Sequence, residues 1–475
     1  MSKRLTLLLG LSFSLSTLAA NHMVVIGGGG EPQRDFTIFD HELQNATNFV
    51  QRTNWETRIT FNGGHAKTEK IAERFAAKSR GKNTDFTPQT YEAIIAEYER
   101  KINSGQIKSG DQLVLMISSH GSQRMGNQKT HNVSTSAYQK QGLTDYNTLG
   151  GSPTVSLDQL ERLTKLAQSK GIKLGILDFS CHSGVTQKLA NSNTCIISST
   201  GPEHFAWGGT PHTFSAKFTE NMRRGRNLEE VFLEAMKKKK DTSFPMISSS
   251  IGKEIQDTMY PLISPYLHDT RSEITINKMK QFYNDRYALD RCENLNDDYK
   301  TLVNFTYDIE NITSKVNYSK LRNLLTEYQQ LQKGIIHNLN YLNSRINSRT
   351  KKDYCDVSSG IRYCFKYTEL EVLNLEVDKL MDMVREQIKS ASASQKPRLE
   401  SSLKIYQNLK KEKENLLKDQ RIRTAHQFWD QSQQLKKTKD LANQIADEAQ
   451  LAYYNTYQSL KRQESSRNPC ADIKL

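Results

Sequence analysis

Between about residues 22 and 265, short apolar runs alternate with amphipathic stretches. The runs cover residues 23–26, 58–61, 112–117, 173–177 and 194–197. Each ends in small or turn-forming residues, at 27–30, 62–64, 118–121, 178–184 and 198–201. Continuous apolar runs of this length predict strands buried on both faces. The stretches 42–53, 89–102 and 157–170 predict helices; the last carries Leu157, Leu160, Leu163 and Leu166 along one face and stops at Gly171. Alternation of this kind predicts an α/β fold, a mostly parallel sheet flanked by helices. Chemistry in such a sheet gathers beyond the carboxyl ends of the strands.

After about Leu267 the pattern changes. Gly and Pro become scarce, and Leu370, Leu373, Val377, Leu380, Val384 and Ile388 recur at helical spacing. The segment 390–397 breaks the pattern, and Leu399, Leu403, Tyr406 and Leu409 start another helix. Residues 266–475 are therefore expected to form an all-α domain of helical hairpins or a short coiled coil. Its simplest role is structural, and binding of a partner or self-association is the other.

The chain opens with basic Lys3 and Arg4, an uncharged stretch at 5–18, and the small residues Ala19 and Ala20. This is the pattern of a secretory signal peptide over residues 1–20, and it leaves 21–265 for the α/β domain. The apolar stretch is short of the roughly 20 residues that span a bilayer, and no later segment is apolar enough. The expectation is an exported protein, periplasmic or extracellular, with no transmembrane segment.

Composition adds little to this. A chain of 475 residues with 36% hydrophobic content has material for two or three packed domains. The formal charge of +14, from 66 Lys and Arg against 52 Asp and Glu, is mild over this length. With no recognition motif, it gives no reason to expect a specific nucleic-acid partner. Residues 237–240, all Lys, read as a solvated helix end. The glycines at 27–30 lack the Lys-Ser/Thr ending of a phosphate loop and read as a tight turn. The histidines, His204 and His212 included, lack metal-ligand spacing, so neither a catalytic metal nor a cofactor is expected.

Cys195 falls mid-strand and is expected to be buried and inert. Cys292, Cys355, Cys364 and Cys470 lie in the helical half, where an oxidising compartment permits two bridges. Cys355 and Cys364 flank Ser358, Ser359 and Gly360, which suggests a bridged turn and leaves Cys292 for Cys470, among three possible pairings.

Two strand ends carry the candidate chemistry. One reads Ser118-Ser119-His120-Gly121 and the other Asp178-Phe179-Ser180-Cys181-His182-Ser183-Gly184. A thiol attacks a carbonyl as thiolate, and a nearby imidazole both lowers its pKa and protonates the leaving amine. Gly121 lets the backbone approach a substrate carbonyl, and its N–H together with that of Cys181 offers an oxyanion hole. Taken alone, the pair also fits a buried cysteine and an unrelated loop histidine.

The order strand, Ser-His-Gly, helix, strand, Asp-x-x-Cys-His-Ser-Gly resembles the caspase-like cysteine peptidases, the group of metacaspases, legumains, clostripain and gingipains. The resemblance continues through the strand at 194–199, residues 203–207, and Thr213 to Phe218 leading into a helix. It covers about residues 22–265. It implies Cys181 as nucleophile, His120 as general acid/base, and the Gly121 and Cys181 amides as the oxyanion hole. His182 adjoins the nucleophile, but neighbouring side chains on a turn diverge. The sequence departs from the group at Phe179, where several members carry an acid that shapes the specificity pocket. Asp178 lies one residue earlier, and a one-residue shift on a strand reverses the face. Asp178 and Glu203 are thus candidates for selecting a cationic substrate residue, and Phe179 and Trp207 for walling an apolar pocket; Trp207 fits ordinary core packing equally well. Calcium, which activates several members, leaves little trace in sequence.

The resulting expectation is an exported cysteine endopeptidase acting on peptide or protein substrates, with transpeptidation as a variant. The alternative is a non-catalytic surface scaffold whose helical half does the work.

Overall fold

Each of the five apolar runs becomes a strand: β1 (Asn21–Gly28), β2 (Glu56–Asn62), β3 (Gln112–Ser119), β7 (Lys173–Asp178) and β8 (Thr194–Ser198). They lie parallel in the order β2-β1-β3-β7-β8, and β9 (Met246–Ile247) adds an antiparallel edge. The fold is α/β, with a mixed, mostly parallel six-stranded sheet. The computed structural model describes residues 19–28, 39–62, 66–124, 126–135, 154–264, 319–347, 349–428, 431–462 and 467–475. Most of the expected leader, Gly29, Gly30 and Cys292 lie outside them.

Helices α1 (Asp40–Gln51), α2 (Ala66–Ala77), α3 (Pro88–Asn103) and α4 (Leu160–Lys170) alternate with the strands. Thr87 and Thr90 form a capping box ahead of α3, where Pro88 costs no hydrogen bond. A left-handed Gly171, at φ 67°, ends α4 as the sequence predicts. One face of the sheet packs Val24, Ile26, Leu115, Ile117, Leu174 and Ile176 against Ile95 and Tyr98 of α3 and Leu160 and Leu163 of α4.

Helices α5 (Phe214–Glu220) and α6 (Leu228–Lys238) follow. On β7, Gly175 makes room for Leu228 and Ile473: a Cβ there would lie 2.9 Å from Leu228 Cδ1 and 3.5 Å from Ile473 Cδ1. At the carboxyl edge, three short strands, β4 (Gly121–Ser122), β5 (Asn132–Ser134) and β6 (Thr154–Ser156), form a separate antiparallel sheet.

The chain divides into two compact units, Met1–Lys253 with Gln463–Leu475, and Glu254–Arg462. The boundary falls within α7 (Ser250–Ile263), before residue 265, and the last segment packs with the first unit. There Leu228 N–H donates to the Ile473 carbonyl at 3.1 Å, and the Gln112 side chain brackets Lys474 by donating to its carbonyl at 2.8 Å and accepting from its N–H at 2.7 Å. Cys470 stands at the start of the short α14 (Pro469–Asp472) and is bonded to Cys195 of β8. This corrects two expectations: Cys195 is buried but disulfide-bonded, and the partner of Cys470 is Cys195 instead of Cys292. The fold-back of the terminal segment onto the sheet brings these two residues together.

The second unit contains α8 (Ser319–Arg345), α9 (Glu369–Asn374), α10 (Val377–Ser390), α11 (Lys396–Leu416), α12 (Gln420–Phe428) and α13 (Gln431–Lys461). The pairs Lys320–Glu448 and Lys437–Glu327 run α8 and α13 antiparallel. It is not all-α. β10 (Lys352–Ser358) and β11 (Ile361–Tyr367) form a hairpin bridged by Cys355–Cys364, the pairing the sequence suggested. Tyr354, Tyr363, Phe365 and Tyr367 pack with Val372, Ile405 and Leu409. No helix among the described residues is long and apolar enough to cross a membrane.

Candidate active site

Parallel strands β3 and β7 are paired from Gln112 with Lys173 to Ile117 with Asp178. The pairing ends there; His120 follows β3 directly and Cys181 lies three residues beyond the end of β7. The backbones stay close past the strand ends. A Cβ built on Gly121 would lie 2.1 Å from the Cys181 carbonyl oxygen and 2.9 Å from its nitrogen. Only glycine fits where the chain after His120 meets the Cys181 peptide.

The segment carrying His120 is tied on both sides. Ser119 Oγ lies 3.0 Å from the Gly28 carbonyl and 2.8 Å from the Ser134 carbonyl, with its one proton between them, and the Ser134 N–H donates to the His120 carbonyl at 2.9 Å. The His120 ring, partly exposed, meets the edge of Phe39 at 5.5 Å between centroids.

Cys181 is partly exposed and is not disulfide-bonded. The loop after β8 folds over it. The Ala206 N–H donates to Cys181 Sγ at 3.4 Å, and the thiol reaches the Ala206 carbonyl at 3.8 Å. The same loop engages His182, whose N–H donates to the His204 carbonyl at 2.8 Å and whose Nδ1 donates to the Pro202 carbonyl at 3.1 Å. His182 has a left-handed backbone, at φ 62°, and is 3% exposed. Burial lowers its pKa to about 4, and burial lowers that of His204 to about 3, so both rings are neutral near pH 7. The Nδ1–H bond to Pro202 leaves the lone pair on Nε2, and burial, which lowers the pKa to about 4, makes His182 a weak base.

The four proposed specificity residues divide. Glu203 is exposed on the loop over Cys181. Trp207 is 39% exposed, and its indole N–H donates to Thr242 Oγ1 at 3.1 Å, so it is a rim residue and not core. Asp178 is fully buried: Oδ1 accepts from Ser180 N–H at 3.1 Å and Ser180 Oγ at 2.6 Å, and Oδ2 accepts from Thr186 Oγ1 at 2.6 Å. Those donors, and its burial, turn the carboxylate inward and away from a substrate cation. Phe179 is also buried, among Phe214 and Phe218, with centroids 6.4 and 5.7 Å away, and lines the core instead of an open pocket.

Sequence reasoning missed three features. Phe205, 51% exposed, stands with Trp207 on either side of Ala206; among the described residues these two are the exposed large apolar side chains of the first unit. Their signal was legible as alternating aromatics at 205 and 207. His131, fully buried, places Nε2 2.7 Å from Ser180 Oγ. Glu42 of α1, 4% exposed, accepts from Ser118, two residues before His120. Neither of the last two has a sequence signal, because their partners are distant in the chain.

Among the described residues, no group of three or more His, Cys, Asp or Glu side chains is disposed to hold a metal ion. No family model matches the chain, and no curated protein matches it.

Proposed function

We propose that the chain is an exported cysteine endopeptidase whose first unit has the caspase-like fold. The observation that carries this reading is the close approach of Gly121, the residue after His120, to the Cys181 peptide, just beyond the ends of the paired strands β3 and β7.

In this reading the Cys181 thiolate attacks the scissile carbonyl carbon. The oxygen takes up negative charge, and the Gly121 and Cys181 N–H groups stabilise it. Protonated His120 gives its proton to the leaving amine as the C–N bond breaks, leaving a thioester. Water, deprotonated by His120, then adds to the thioester and releases the acid and the thiol. An amine in place of water gives transpeptidation. The exposed pair Phe205 and Trp207 favours a bulky apolar side chain next to the scissile bond. With the Asp178 carboxylate occupied by Ser180 and Thr186, Glu203 is the remaining candidate for a cation. Two disulfides and the basic-then-apolar opening of the chain support export.

The test is cleavage of a mixed peptide library by the purified chain. Wild type is expected to cut beside bulky apolar residues, Cys181→Ala to be inactive, and His120→Ala to lose about 10²–10⁴-fold in kcat. Cleavage beside Arg or Lys would assign specificity to Glu203. A wild-type product pattern identical to that of Cys181→Ala overturns the peptidase.

A further inference from the structure

We propose that His131 is a positioning residue that locks the Cys181 turn to the segment carrying His120. The inference rests on the peptidase reading for its purpose, but its test does not need a substrate.

The argument starts from proton counting. The Ser180 hydroxyl has one proton, and at 2.6 Å from Asp178 Oδ1 it is donated there. The 2.7 Å contact with His131 Nε2 therefore has the imidazole as donor, which fixes the Nε2–H tautomer. Thr186 likewise spends its proton on Asp178 Oδ2 at 2.6 Å, with its Oγ1 3.4 Å from His131 Nδ1. All four side chains are buried, none more than 1% exposed. Burial holds the His131 pKa below the usual imidazole value, although the Asp178 carboxylate, 3.6 Å from Nε2, opposes this. A neutral ring donating Nε2–H serves the short Ser180 contact without an added charge and leaves the longer 3.4 Å approach of Thr186 to Nδ1 without a proton.

Location gives the network its role. Ser180 immediately precedes Cys181, and Thr186 follows it on the next turn, so Asp178 clamps both sides of the turn. His131 arrives from elsewhere. It immediately precedes β5, which pairs Val133 with Gly121 and ties Ser134 to the His120 carbonyl. The His131–Ser180 bond thus joins the two segments that bear the thiol and the imidazole. Without it, Ser180 loses its buried donor, its hydroxyl is free to leave Asp178, and the turn loses its fixed distance from Gly121. Misplacement by about 1 Å costs on the order of 10²-fold in a reaction that depends on orientation.

The experiment is the pH profile of Cys181 alkylation by iodoacetamide, on the full oxidised chain, with thermal melts alongside. A histidine that only fills space would leave this profile unmoved. His131→Gln keeps an N–H donor near the position of Nε2 and is expected to retain the wild-type midpoint. His131→Ala is expected to move the midpoint up by about one unit and slow alkylation about tenfold at pH 7, because the thiol loses its imidazole neighbour. If His131→Ala does not fold, Ser180→Ala removes the same bond with a smaller change and is expected to shift the midpoint in the same direction. A folded His131→Ala or Ser180→Ala with the wild-type profile overturns the proposal, as does His131→Gln falling as far as His131→Ala. Peptidase activity is read separately, so wild type that alkylates as described but cleaves nothing defeats the function and not the positioning.

Discussion

The two units treat polar groups in opposite ways. In the first, buried side chains include Glu42, Asp111, Ser118, Ser119, His131, Asp178, Ser180 and Thr186, many of them at the carboxyl ends of β3 and β7. In the second, the buried polar side chains among the described residues are fewer, Gln256, Thr368 and Ser401 beside buried tyrosines such as Tyr328 and Tyr453, and the charges sit outside in pairs such as Lys437–Glu327. A buried polar group costs free energy unless every bond it can make is satisfied. The first unit carries that cost where two strand ends hold His120 and Cys181. The second follows the cheaper rule of apolar inside and charge outside. The contrast supports assigning chemistry to the first unit and framework to the second.

The disulfides sharpen it most. Cys195–Cys470 closes a separation of 275 residues inside the first unit, whereas Cys355–Cys364 closes a separation of 9 in a hairpin of the second. Loop entropy gives about 5.6 kcal/mol for the long closure and about 2.6 kcal/mol for the short one. Urea unfolding of Cys195→Ala/Cys470→Ala and of Cys355→Ala/Cys364→Ala is expected to show the larger loss in the first. The first variant should also expose Ile473 and the N–H groups of Gly225 and Leu228 to faster hydrogen exchange, since these are bonded to or buried with the terminal segment. Equal losses would mean that the terminal segment is held by its hydrogen bonds alone.

Glu42 tests the polar interior directly. Burial raises its pKa from 4.5 to about 7, and hydrogen bonds from Ser118 and Ser215 only partly oppose the shift. The folded value lies above the unfolded one, so its contribution is fully present below about pH 4.5 and is lost as pH rises through about 7. The stability of wild type relative to Glu42→Gln is expected to fall by about 3 kcal/mol between pH 4.5 and pH 8. Taking the difference between the two proteins cancels the opposite slopes of His131, His182 and His204, whose lowered pKa values favour the folded state at higher pH. A pH-independent difference in urea unfolding would show that Glu42 keeps the same protonation in both states.

The main strands and the candidate pair were legible because continuous apolar runs ending in Ser-His-Gly and Ser-Cys-His are local signals. The short strands β4 to β6 were not, since runs of two or three residues are too short to show a periodicity. The hairpin left a partial trace: Tyr363, Phe365 and Tyr367 alternate with period two, but lie in a stretch dominated by helical spacing. His131 and the partner of Cys470 were beyond reach, because each is defined by a contact the chain makes only after distant segments fold together. Asp178 stands out in the sequence as an acid near Cys181. What its sequence position could not convey was that Ser180 and Thr186 saturate it.

The smallest expected effect belongs to the second unit. Lys437 Nζ lies 3.4 Å from Glu327 Oε1, with side chains 55% and 50% exposed, between the antiparallel helices α13 and α8. Water screens such a pair, and ordering two long side chains offsets most of the attraction, so a coupling of about 0.5 kcal/mol or less is expected. A double-mutant cycle of Lys437→Ala and Glu327→Ala in urea measures it. The same cycle on His131→Ala and Ser180→Ala should give a coupling several times larger, on the order of 1–3 kcal/mol, because that bond has no water to replace it. Comparable couplings from the two cycles would erase the distinction between the units, since burial would then add nothing to the worth of a polar contact. A large gap would tie the rigidity of the Cys181 turn to the dryness of its surroundings.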